Sequence, residues 1–360
     1  MKICFLVGDL NRFGGIERVS TMVANGLAER NYDVSILSIE NGESPFFDLD
    51  DNIDIDSLSK SNSKFIYRLP KIVSGIRKYT KENNVDILVT VDTFSVIFTI
   101  PALIGLNVKN FAWEHFDFNN NFNKKSRHIF RKLAARYCTK IIVLTEKDKK
   151  NWIRSTNHKN QIVSIPNPNS FDCGFNINDV DKNTKVVLAV GRLSHLKGFD
   201  MLLDAWSKVM KEVPDWYLKI VGDGEEMTHL DHIIKEKNIE NVELVGSVHD
   251  VKPYYEEAEI FCLSSRLEGF GMVLLEAFEF GLPIVSFNCE VGPAEVLDGT
   301  ESILVPPNNT SELATALVKL INDKSLRKHI GARTKHKSKL YSKNNIVDEW
   351  EKQLSSSIGE

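Results

Sequence analysis

Two glutamates and a glycine turn stand between a predicted strand and a predicted helix in the second half of the chain. Glu268 and Glu276 are eight residues apart, and Gly269-Phe270-Gly271 follows the first of them. The apolar run at residues 260–263 predicts a buried strand, and residues 272–280 predict a helix. Free backbone N–H groups at such a junction favour an anion, whereas carboxylates accept hydrogen bonds from sugar hydroxyls. The combination indicates a nucleotide sugar.

A simpler interpretation assigns neither glutamate a function. Glu268 would then cap the turn, and Glu276 would be a solvated helix residue, as most glutamates are. The neighbours of Glu276 are, however, Val273, Leu274, Leu275, Ala277 and Phe278. A charge in so apolar a run needs a partner or a purpose, and this favours a binding role.

A second turn carries two cations. Arg192 and Lys197 follow the predicted strand at residues 186–190, and Gly191 and Gly198 flank them. An arginine fork and a lysine point charge in this position can grip a diphosphate. The alternative is a loop with two exposed cations.

Two motifs in the first half follow predicted strands. Gly14-Gly15 follows the strand at residues 3–7 and opens a helix, so a ligand can approach its backbone closely. No GxGxxG fingerprint is present, and a glycine pair is often only a turn. His115 stands just past the strand at residues 109–113, where side chains face the ligand crevice of an open α/β sheet. A structural or merely exposed histidine is the alternative.

These motifs resemble those of the retaining, two-domain glycosyltransferases of family 4. The family's donor-site pattern is two glutamates separated by seven residues, with Gly-Phe-Gly after the first, as at Glu268 and Glu276. The resemblance covers nearly the whole chain and is more specific in its second half. It extends to Gly14-Gly15-Ile16-Glu17-Arg18, Trp113-Glu114-His115, Ile165-Pro166-Asn167-Pro168 and Gly191-Arg192 with Lys197-Gly198.

The resemblance implies the glycosyltransferase B (GT-B) architecture, an α/β fold with two Rossmann-like doubly wound domains facing across a cleft. We expect an acceptor-binding domain at 1–168 and a linker at 169–184. The nucleotide-sugar-binding domain is expected at 185–340, and residues 341–360 would form a helix that returns to the first domain.

Roles for single residues also follow from the resemblance. Arg192 and Lys197 would neutralise the leaving diphosphate, Glu268 would orient the donor sugar, and His115 would contact that sugar. Glu276 would hold the ribose, and Glu17 and Arg18 would bind the acceptor. The expected catalytic residues are His115, Glu268, Arg192 and Lys197. The expected donor contacts are Gly14, Gly15, Gly191, Arg192, Lys197, Gly269, Phe270, Gly271, Met272 and Glu276.

The implied reaction is retaining transfer from a UDP-sugar, with no metal or other cofactor, to a glycan or undecaprenyl-diphosphate-linked acceptor. Residues 286–295 resemble members that transfer galactose-type or N-acetylhexosamine sugars in bacterial polysaccharide and glycan assembly, although Asn288 replaces their usual Asp. Two alternatives are a catalytically silent nucleotide-sugar-binding homologue and a UDP-sugar epimerase. The first of these is disfavoured, because the chain retains all four charged residues of the motifs, Arg192, Lys197, Glu268 and Glu276.

Composition narrows the class of protein. A net charge of −4 over 360 residues argues against a nucleic-acid binder. The five cysteines are scattered without metal-ligand spacing, which indicates a reducing compartment. We find neither a signal peptide nor an apolar run long enough to span a membrane, and therefore expect a cytoplasmic protein. Asp54 and Asp56, in the polar stretch 40–63, are interpreted as part of a solvated loop and not as a metal-binding pair.

One zone of the first half is basic. Residues 64–140 contain fourteen Lys and Arg against five Asp and Glu, concentrated in two predicted helices at 64–81 and 124–136. Apolar side chains are interleaved with them. The pattern is typical of a surface that contacts anionic lipid headgroups or a pyrophosphate-linked acceptor. We therefore expect peripheral association with the inner face of the cell membrane; solvated faces of ordinary helices are the alternative.

Overall fold

The computed structural model describes residues 1–58, 65–120, 125–159, 161–171 and 183–357. The chain divides into two units, each with its own sheet. Unit 1 consists of Met1–Pro168 together with Lys343–Glu360, and unit 2 consists of Asn169–Ser342.

Unit 1 is built on a seven-stranded parallel sheet. Its strands are β1 (Lys2–Val7), β2 (Asp33–Ser38), β3 (Asp54–Ser57), β4 (Ile87–Val91), β5 (Lys109–Trp113), β6 (Lys140–Val143) and β7 (Gln161–Ser164). Its first helices are α1 (Gly15–Ala28), α2 (Phe65–Glu82), α3 (Val96–Leu103), α4 (Lys125–Tyr137) and α5 (Glu146–Ser155). The strand order β3-β2-β1-β4-β5-β6-β7 reverses direction between β1 and β4, as in a doubly wound fold.

Unit 2 repeats this plan with six parallel strands. They are β8 (Val186–Val190), β9 (Tyr217–Val221), β10 (Val242–Gly246), β11 (Ile260–Leu263), β12 (Ile284–Phe287) and β13 (Ile303–Val305). The helices are α6 (Phe199–Val209), α7 (Met227–Glu236), α8 (Lys252–Glu257), α9 (Met272–Glu279), α10 (Pro293–Leu297), α11 (Thr310–Asn322) and α12 (Lys324–Ser338). The order β10-β9-β8-β11-β12-β13 confirms the α/β, doubly wound fold class.

The burial of the strands on both faces of the sheet explains why their sequences are continuous apolar runs. All five residues of β4 and all four residues of β11 are buried, because a parallel sheet carries helices on both faces. The helices are amphipathic in turn. In α6, Leu202, Trp206 and Val209 enter the core of unit 2, while Lys208 on the same helix stays half-exposed.

The turns that carry the predicted site residues follow the carboxyl ends of strands in both sheets. In unit 2, β8 and β11 are neighbours, and the turns that carry Lys197 and Glu268 follow their carboxyl ends. In unit 1, the Gly14-Gly15 turn follows β1 beside the switch point, whereas His115 follows β5, which is separated from β1 by β4. The carboxyl ends of strands beside a switch point are where open α/β sheets bind ligands.

The last helix, α13 (Lys343–Ser356), belongs to unit 1. Trp350 is fully buried, with its ring centroid 4.7 Å from that of Trp113 and 6.0 Å from that of Phe5. Arg30, two residues past the end of α1, forms an ion pair with Asp348 at 2.6 Å. The chain therefore returns to its first unit after completing the second.

The stretch at residues 40–63 differs from our expectation of a solvated loop. Asp54–Ser57 forms strand β3, which pairs in parallel with β2 at the edge of the sheet. The expectation was wrong because this edge strand is polar and largely exposed, so it lacks the apolar alternation that marks a strand. Residues 59–63 lie outside the described part of the chain.

The segment after Pro168 begins within unit 2. Asn169, which we expected in the linker, is buried and donates a hydrogen bond from its side chain to the carbonyl of Leu275 at 2.9 Å. Residues 172–182, which include Cys173, lie outside the described residues. Within the described helices, none combines the length and apolar character needed to cross a membrane.

Candidate active site

The turn between β11 and α9 is held by its glycines. Gly271 has a φ of +88°, a left-handed conformation that glycine adopts without the strain of a side chain, and α9 begins at the next residue, Met272. Phe270 is buried, with its ring centroid 6.1 Å from that of Tyr341. The carbonyl of Gly269 lies close against Gly292, where a Cβ would stand 3.1 Å from its oxygen. The turn thus approaches neighbouring backbone more closely than a larger residue would allow.

Glu268 is fixed by two side chains from within unit 2. Its Oε2 atom accepts a hydrogen bond from Lys197 Nζ at 2.6 Å and one from Ser265 Oγ at 3.1 Å. The Glu268 side chain is 11% exposed and that of Lys197 is 27% exposed. The structure therefore brings together two residues of the predicted site that are distant in sequence. Because this ion pair is only partly buried, a bound anion can compete with Glu268 for the lysine.

Gly198 makes this approach possible. It has a φ of +65°, and a Cβ at this position would lie 2.2 Å from the backbone oxygen of Ser264. The turn after β8 consequently packs directly on the turn after β11. Ser264 Oγ also donates to the carbonyl of Lys197 at 3.0 Å. Backbone contact, and not the ion pair alone, positions Lys197 beside Glu268.

Arg192 lies differently from Lys197. Its side chain is 75% exposed, and its Nη2 atom forms an ion pair with Glu225 at 3.0 Å. Gly191 precedes it with a φ of +157°. The two cations thus contact different carboxylates, and a joint grip on one diphosphate, which stays a prediction, requires Arg192 to leave Glu225.

Glu276 has the partner that its apolar surroundings require. The side chain is buried, and Tyr255 Oη donates a hydrogen bond to its Oε2 atom at 2.7 Å. Tyr255 is itself fully buried, stacked with Phe280 at 5.4 Å and with Phe261 at 5.8 Å between ring centroids. Sequence reasoning missed this tyrosine, since nothing in the spacing of residues 255 and 276 links α8 to α9.

His115 follows β5 in unit 1 and is buried. Its ring centroid lies 4.5 Å from that of Trp113, and its Nε2 atom has no hydrogen-bond partner among the described residues. Burial lowers the pKa of His115 to about 3, so the ring is neutral at physiological pH. A neutral imidazole can accept or donate a hydrogen bond; its predicted contact with the donor sugar stays a prediction.

A buried ion pair fixes the segment that carries His115. Glu114 and Arg131 are both fully buried, and Arg131 Nε donates to Glu114 Oε2 at 2.8 Å. Thr93 also donates to this carboxylate, and Arg131 Nη1 donates to the carbonyl of Phe118 at 2.6 Å. Burial raises the pKa of Glu114, while Arg131 opposes the shift. The network ties α4 to the end of β5.

A second buried carboxyl stands beside this segment. Asp148 Oδ1 accepts a hydrogen bond from the backbone N–H of Phe118 at 2.8 Å. Burial and the neighbouring Asp117 raise the pKa of Asp148 to about 8, despite that N–H donor. Asp148 also belongs to the first turn of α5, where Thr145 caps the helix by accepting from its N–H. The histidine-bearing segment is therefore anchored to both α4 and α5.

The turn at Gly14 and Gly15 places Glu17 and Arg18 at the first turn of α1. A Cβ on Gly14 would lie 2.2 Å from Glu17 Oε2, so the carboxylate lies directly over this glycine, and burial raises the pKa of Glu17. Nothing lies within 4 Å of a Cβ placed on Gly15. The Arg18 guanidinium carbon lies 5.9 Å from the ring centroid of Phe47. The binding roles of these four residues stay predictions.

The basic zone is only partly a surface. Arg131 is fully buried, and Lys140 is buried with its Nζ atom bonded to Gln353 and Ser356. Arg77 donates to the carbonyls of Ala102 and Ile104. The basic surface that we expected is therefore interrupted at these three positions, where the cations donate to carboxylate, carbonyl and side-chain acceptors within unit 1. Sequence alone does not tell a structural arginine from a solvated one.

Apolar residues interleaved in the basic zone also face inward. Ile72 and Ile76 of α2 are part of the core of unit 1. Exposed cations remain on both helices, at Lys71, Lys78, Lys81, Lys132 and Arg136. Lys64, Phe122 and Lys124, which we included in this zone, lie outside the described residues.

Two protein-family models match the chain. The model described as Glycosyltransferase Family 4 matches residues 13–169, and the model described as Glycosyl transferases group 1 matches residues 174–337. The boundary between the two matches falls close to the boundary between the two units. Each unit thus corresponds to one family model.

Three relatives align over nearly their whole lengths. An uncharacterized glycosyltransferase of Haemophilus influenzae is 39% identical, covering 97% of this chain and 98% of its own. The amylovoran biosynthesis glycosyltransferase AmsD of Erwinia amylovora is 30% identical, with coverage of 97% and 98%. A Campylobacter jejuni α-1,4-N-acetyl-D-galactosaminyltransferase, named for a PP-undecaprenol-linked substrate, is 30% identical and covers 97% of both chains.

Solved structures support the fold. TarM of S. aureus, crystallised as a point mutant with UDP among its ligands, matches with a TM-score of 0.80 at 16% identity, covering 97% of this chain and 98% of its own. The lipopolysaccharide outer core galactosyltransferase WaaB matches with a TM-score of 0.79 at 22% identity, with coverage of 99% and 100%. Both share the GT-B fold with this chain.

Proposed function

The chain belongs to the family 4 and group 1 glycosyltransferases, and we propose that it transfers a galactose-type or N-acetylhexosamine sugar from a UDP-sugar to a glycan acceptor, with retention at the anomeric carbon. The acceptor is a lipid-linked glycan in bacterial cell-surface polysaccharide or glycan assembly. The observation that carries the proposal is the Lys197–Glu268 pair at the switch point of unit 2, beside the start of α9.

The donor half of the proposal rests on charge and hydrogen-bonding chemistry. Lys197, freed from Glu268 by the incoming diphosphate, neutralises the leaving group, and Arg192 joins it. Glu268 then accepts hydrogen bonds from the donor sugar, and Glu276, held by Tyr255, accepts from the ribose. A charge that develops on the leaving phosphate is stabilised most strongly where water is excluded.

The chemical step needs no enzyme nucleophile. The acceptor hydroxyl attacks the anomeric carbon on the face from which UDP departs, the bond from that carbon to the β-phosphate oxygen breaks, and the phosphate takes the hydroxyl proton. The products are the extended glycan and UDP. Unlike the carboxylate pair of a retaining hydrolase, neither Glu268 nor Glu276 is required to form a covalent intermediate.

Relatives support the choice of substrates. The C. jejuni relative is named for transfer of N-acetylgalactosamine to a PP-undecaprenol-linked glycan, and the E. amylovora relative for amylovoran biosynthesis. WaaB is named as a galactosyltransferase, and the TarM complex contains UDP. The exposed lysines of α2 and α4 support peripheral contact with an anionic membrane surface, where a lipid-linked acceptor resides.

The first experiment measures melting temperature with UDP, GDP, ADP and TDP, each in large excess. A ligand at about 100 times its dissociation constant adds about 2.7 kcal/mol to the free energy of unfolding. We expect a shift with UDP. A shift only with another nucleotide would replace UDP in the proposal, and no shift with any of the four would refute the proposed donor site.

Release of UDP from a UDP-sugar then separates transferase from epimerase. We expect release that depends on added lipid-linked acceptor, whereas an epimerase produces an isomeric UDP-sugar without acceptor. Lys197→Ala should abolish this release while the melting temperature without ligand changes little, because Lys197 is partly exposed. Lys211→Ala, an exposed lysine of the same unit, is the matched control. Full activity of Lys197→Ala would refute the diphosphate assignment.

A further inference from the structure

Three phenylalanine rings cluster at the surface of unit 1. Phe13 is 69% exposed, Phe46 is 52% exposed, and Phe47 is half-buried. Their ring centroids lie 4.9 Å (Phe13 to Phe46), 5.9 Å (Phe13 to Phe47) and 5.1 Å (Phe46 to Phe47) apart. Single exposed apolar residues are ordinary, but a contiguous aromatic group left in water indicates a binding surface.

The cluster is built by two loops that are bonded to each other. Phe13 belongs to the loop after β1, and Phe46 and Phe47 belong to the loop after β2. The N–H of Phe46 donates to the carbonyl of Leu10 at 3.3 Å, and the N–H of Ser44 donates to Asn11 Oδ1 at 3.2 Å. These cross-links hold the rings in place without a ligand.

Helix α1 and the loop after β1 reinforce the same surface. Asn25 of α1 donates from its side chain to the carbonyl of Asp48 and accepts from the N–H of Asp50, at 2.9 and 3.0 Å. Asn41 donates to Asp9 Oδ2 at 3.0 Å. A surface anchored at both ends in this way loses little conformational freedom when a ligand binds.

The cluster adjoins the residues proposed to meet the acceptor. Phe13 directly precedes Gly14, and the Arg18 guanidinium carbon lies 5.9 Å from the Phe47 ring centroid. Glu17 lies over Gly14. A ligand bound on the rings would therefore extend from the same turn.

Charge excludes an anionic membrane as the occupant. Residues 9–18 and 40–51, which form the two loops and the start of α1, contain seven Asp and Glu against two Arg. A surface so acidic repels phospholipid headgroups. Apart from Asp9, which is buried, these carboxylates are suitable partners for the hydroxyls of an uncharged ligand, as are Asn11 Nδ2 and Asn41 Oδ1, which the contacts above do not use.

We propose that Phe13, Phe46 and Phe47 form a platform for a neutral pyranose ring of the acceptor glycan. The electron-rich aromatic faces contact the C–H groups of the sugar, and the surrounding carboxylates and amides accept and donate hydrogen bonds at its hydroxyls. This inference rests on the proposed transfer to a glycan, which it deepens by assigning a part of the acceptor to named residues.

Saturation-transfer NMR tests the platform directly, using methyl glycosides of galactose, glucose and N-acetylgalactosamine as probes. We expect saturation of ring C–H protons of at least one glycoside with the wild-type protein, and a drop of about tenfold with the double variant Phe13→Ala/Phe46→Ala. Both rings are exposed, so the variant should fold, and its melting temperature is measured to establish this. Ile104→Ala, an equally exposed apolar residue of unit 1 at 68%, is the matched control.

Several outcomes overturn the inference. The first is that the wild type shows no saturation transfer to any of the three glycosides. The second is that the double variant shows the same saturation transfer as the wild type. The third is that Ile104→Ala loses as much saturation transfer as the double variant does. Binding to phosphatidylglycerol vesicles that depends on Phe13 and Phe46 would assign the cluster to a lipid surface instead.

The UDP-induced melting shift is recorded for every variant. If the wild type and the double variant both bind UDP but show equal saturation transfer to the methyl glycosides, the platform is refuted and the proposed function is not. If the wild type responds to no nucleotide, the proposed function itself fails.

Discussion

The hydrogen bond between Tyr255 and Glu276 gives the sharpest prediction of stability and ligand binding together. The change Tyr255→Phe removes one hydroxyl from a ring stacked between Phe261 and Phe280, so the packing of the ring itself is retained. The hydroxyl donates to a buried carboxylate at 2.7 Å. The variant therefore removes this hydrogen bond to the Glu276 carboxylate while the ring stays in place.

The magnitude follows from that geometry. A hydrogen bond to a charged group contributes about 1.5–3 kcal/mol, and the loss here is at the upper part of this range if no water replaces the hydroxyl. For a unit of this size, the melting temperature of unit 2 should fall by roughly 3–12 °C. Because Glu276 is proposed to bind the ribose, the dissociation constant for UDP should rise by about tenfold.

Calorimetry with and without UDP measures both effects. Tyr254→Phe is the matched control, because this neighbouring tyrosine is only half-buried, and we expect its free energy of unfolding to change by less than about 0.5 kcal/mol. A double-mutant cycle with Glu276→Gln assigns the energy to the bond, since the cost of removing the hydroxyl should shrink when its acceptor is uncharged. An equal cost in both backgrounds, or unchanged UDP affinity, refutes the reasoning.

Three further changes test the anchoring of the site. Arg131→Met leaves the buried Glu114 carboxylate without its cationic partner and should lower the free energy of unfolding in urea by about 3–5 kcal/mol. The double variant Arg131→Met/Glu114→Leu should recover most of this loss. Similar values for the two variants would contradict the buried ion pair. The pKa of Asp148 is raised from 3.8 to about 8, so the folded state holds its proton more tightly and the stability from this group falls as pH rises across that interval. The advantage of Asp148→Asn in melting temperature should therefore grow between about pH 5 and pH 8, and a constant difference would argue against the shift. Gly198→Ala introduces a Cβ 2.2 Å from a backbone oxygen at a φ of +65° and should destabilise unit 2 by about 2 kcal/mol or more, measured by the same unfolding assay; a neutral substitution would show that the turn can relax.

Local patterns predict most of the scaffold and the location of the site turns. Apolar runs mark strands such as β4, and a strand followed by a glycine turn and an apolar helix marks the junction at Glu268, because these signals depend only on residues close in sequence. Once the strands are known to be parallel, the carboxyl-end turns must share an edge. The family motifs therefore lie at the turns that the geometry of a parallel sheet brings to one edge.

The sequence does not predict contacts between segments that are distant along the chain. The Lys197–Glu268 pair spans 71 residues, and its formation depends on β8 and β11 being neighbours, which is a property of the sheet as a whole. Arg131 reads as a surface cation until its buried partner is known. Hydrophobic patterning also did not predict the polar strand β3 or the exposed phenylalanines. Such patterning identifies buried segments, and it says little about polar edge strands and ligand-facing surfaces.

The return of α13 to unit 1 determines the order in which the protein can mature on the ribosome. Trp350 fills a core formed by residues near the N-terminus, and Arg30 pairs with Glu351, 321 positions later. Unit 2, whose chain is continuous, can complete its core while unit 1 still lacks its final helix. The first part of the chain to be synthesised is thus the last to be finished, and a nascent or C-terminally truncated chain exposes the apolar surface around Phe5 and Trp113 to chaperones and proteases.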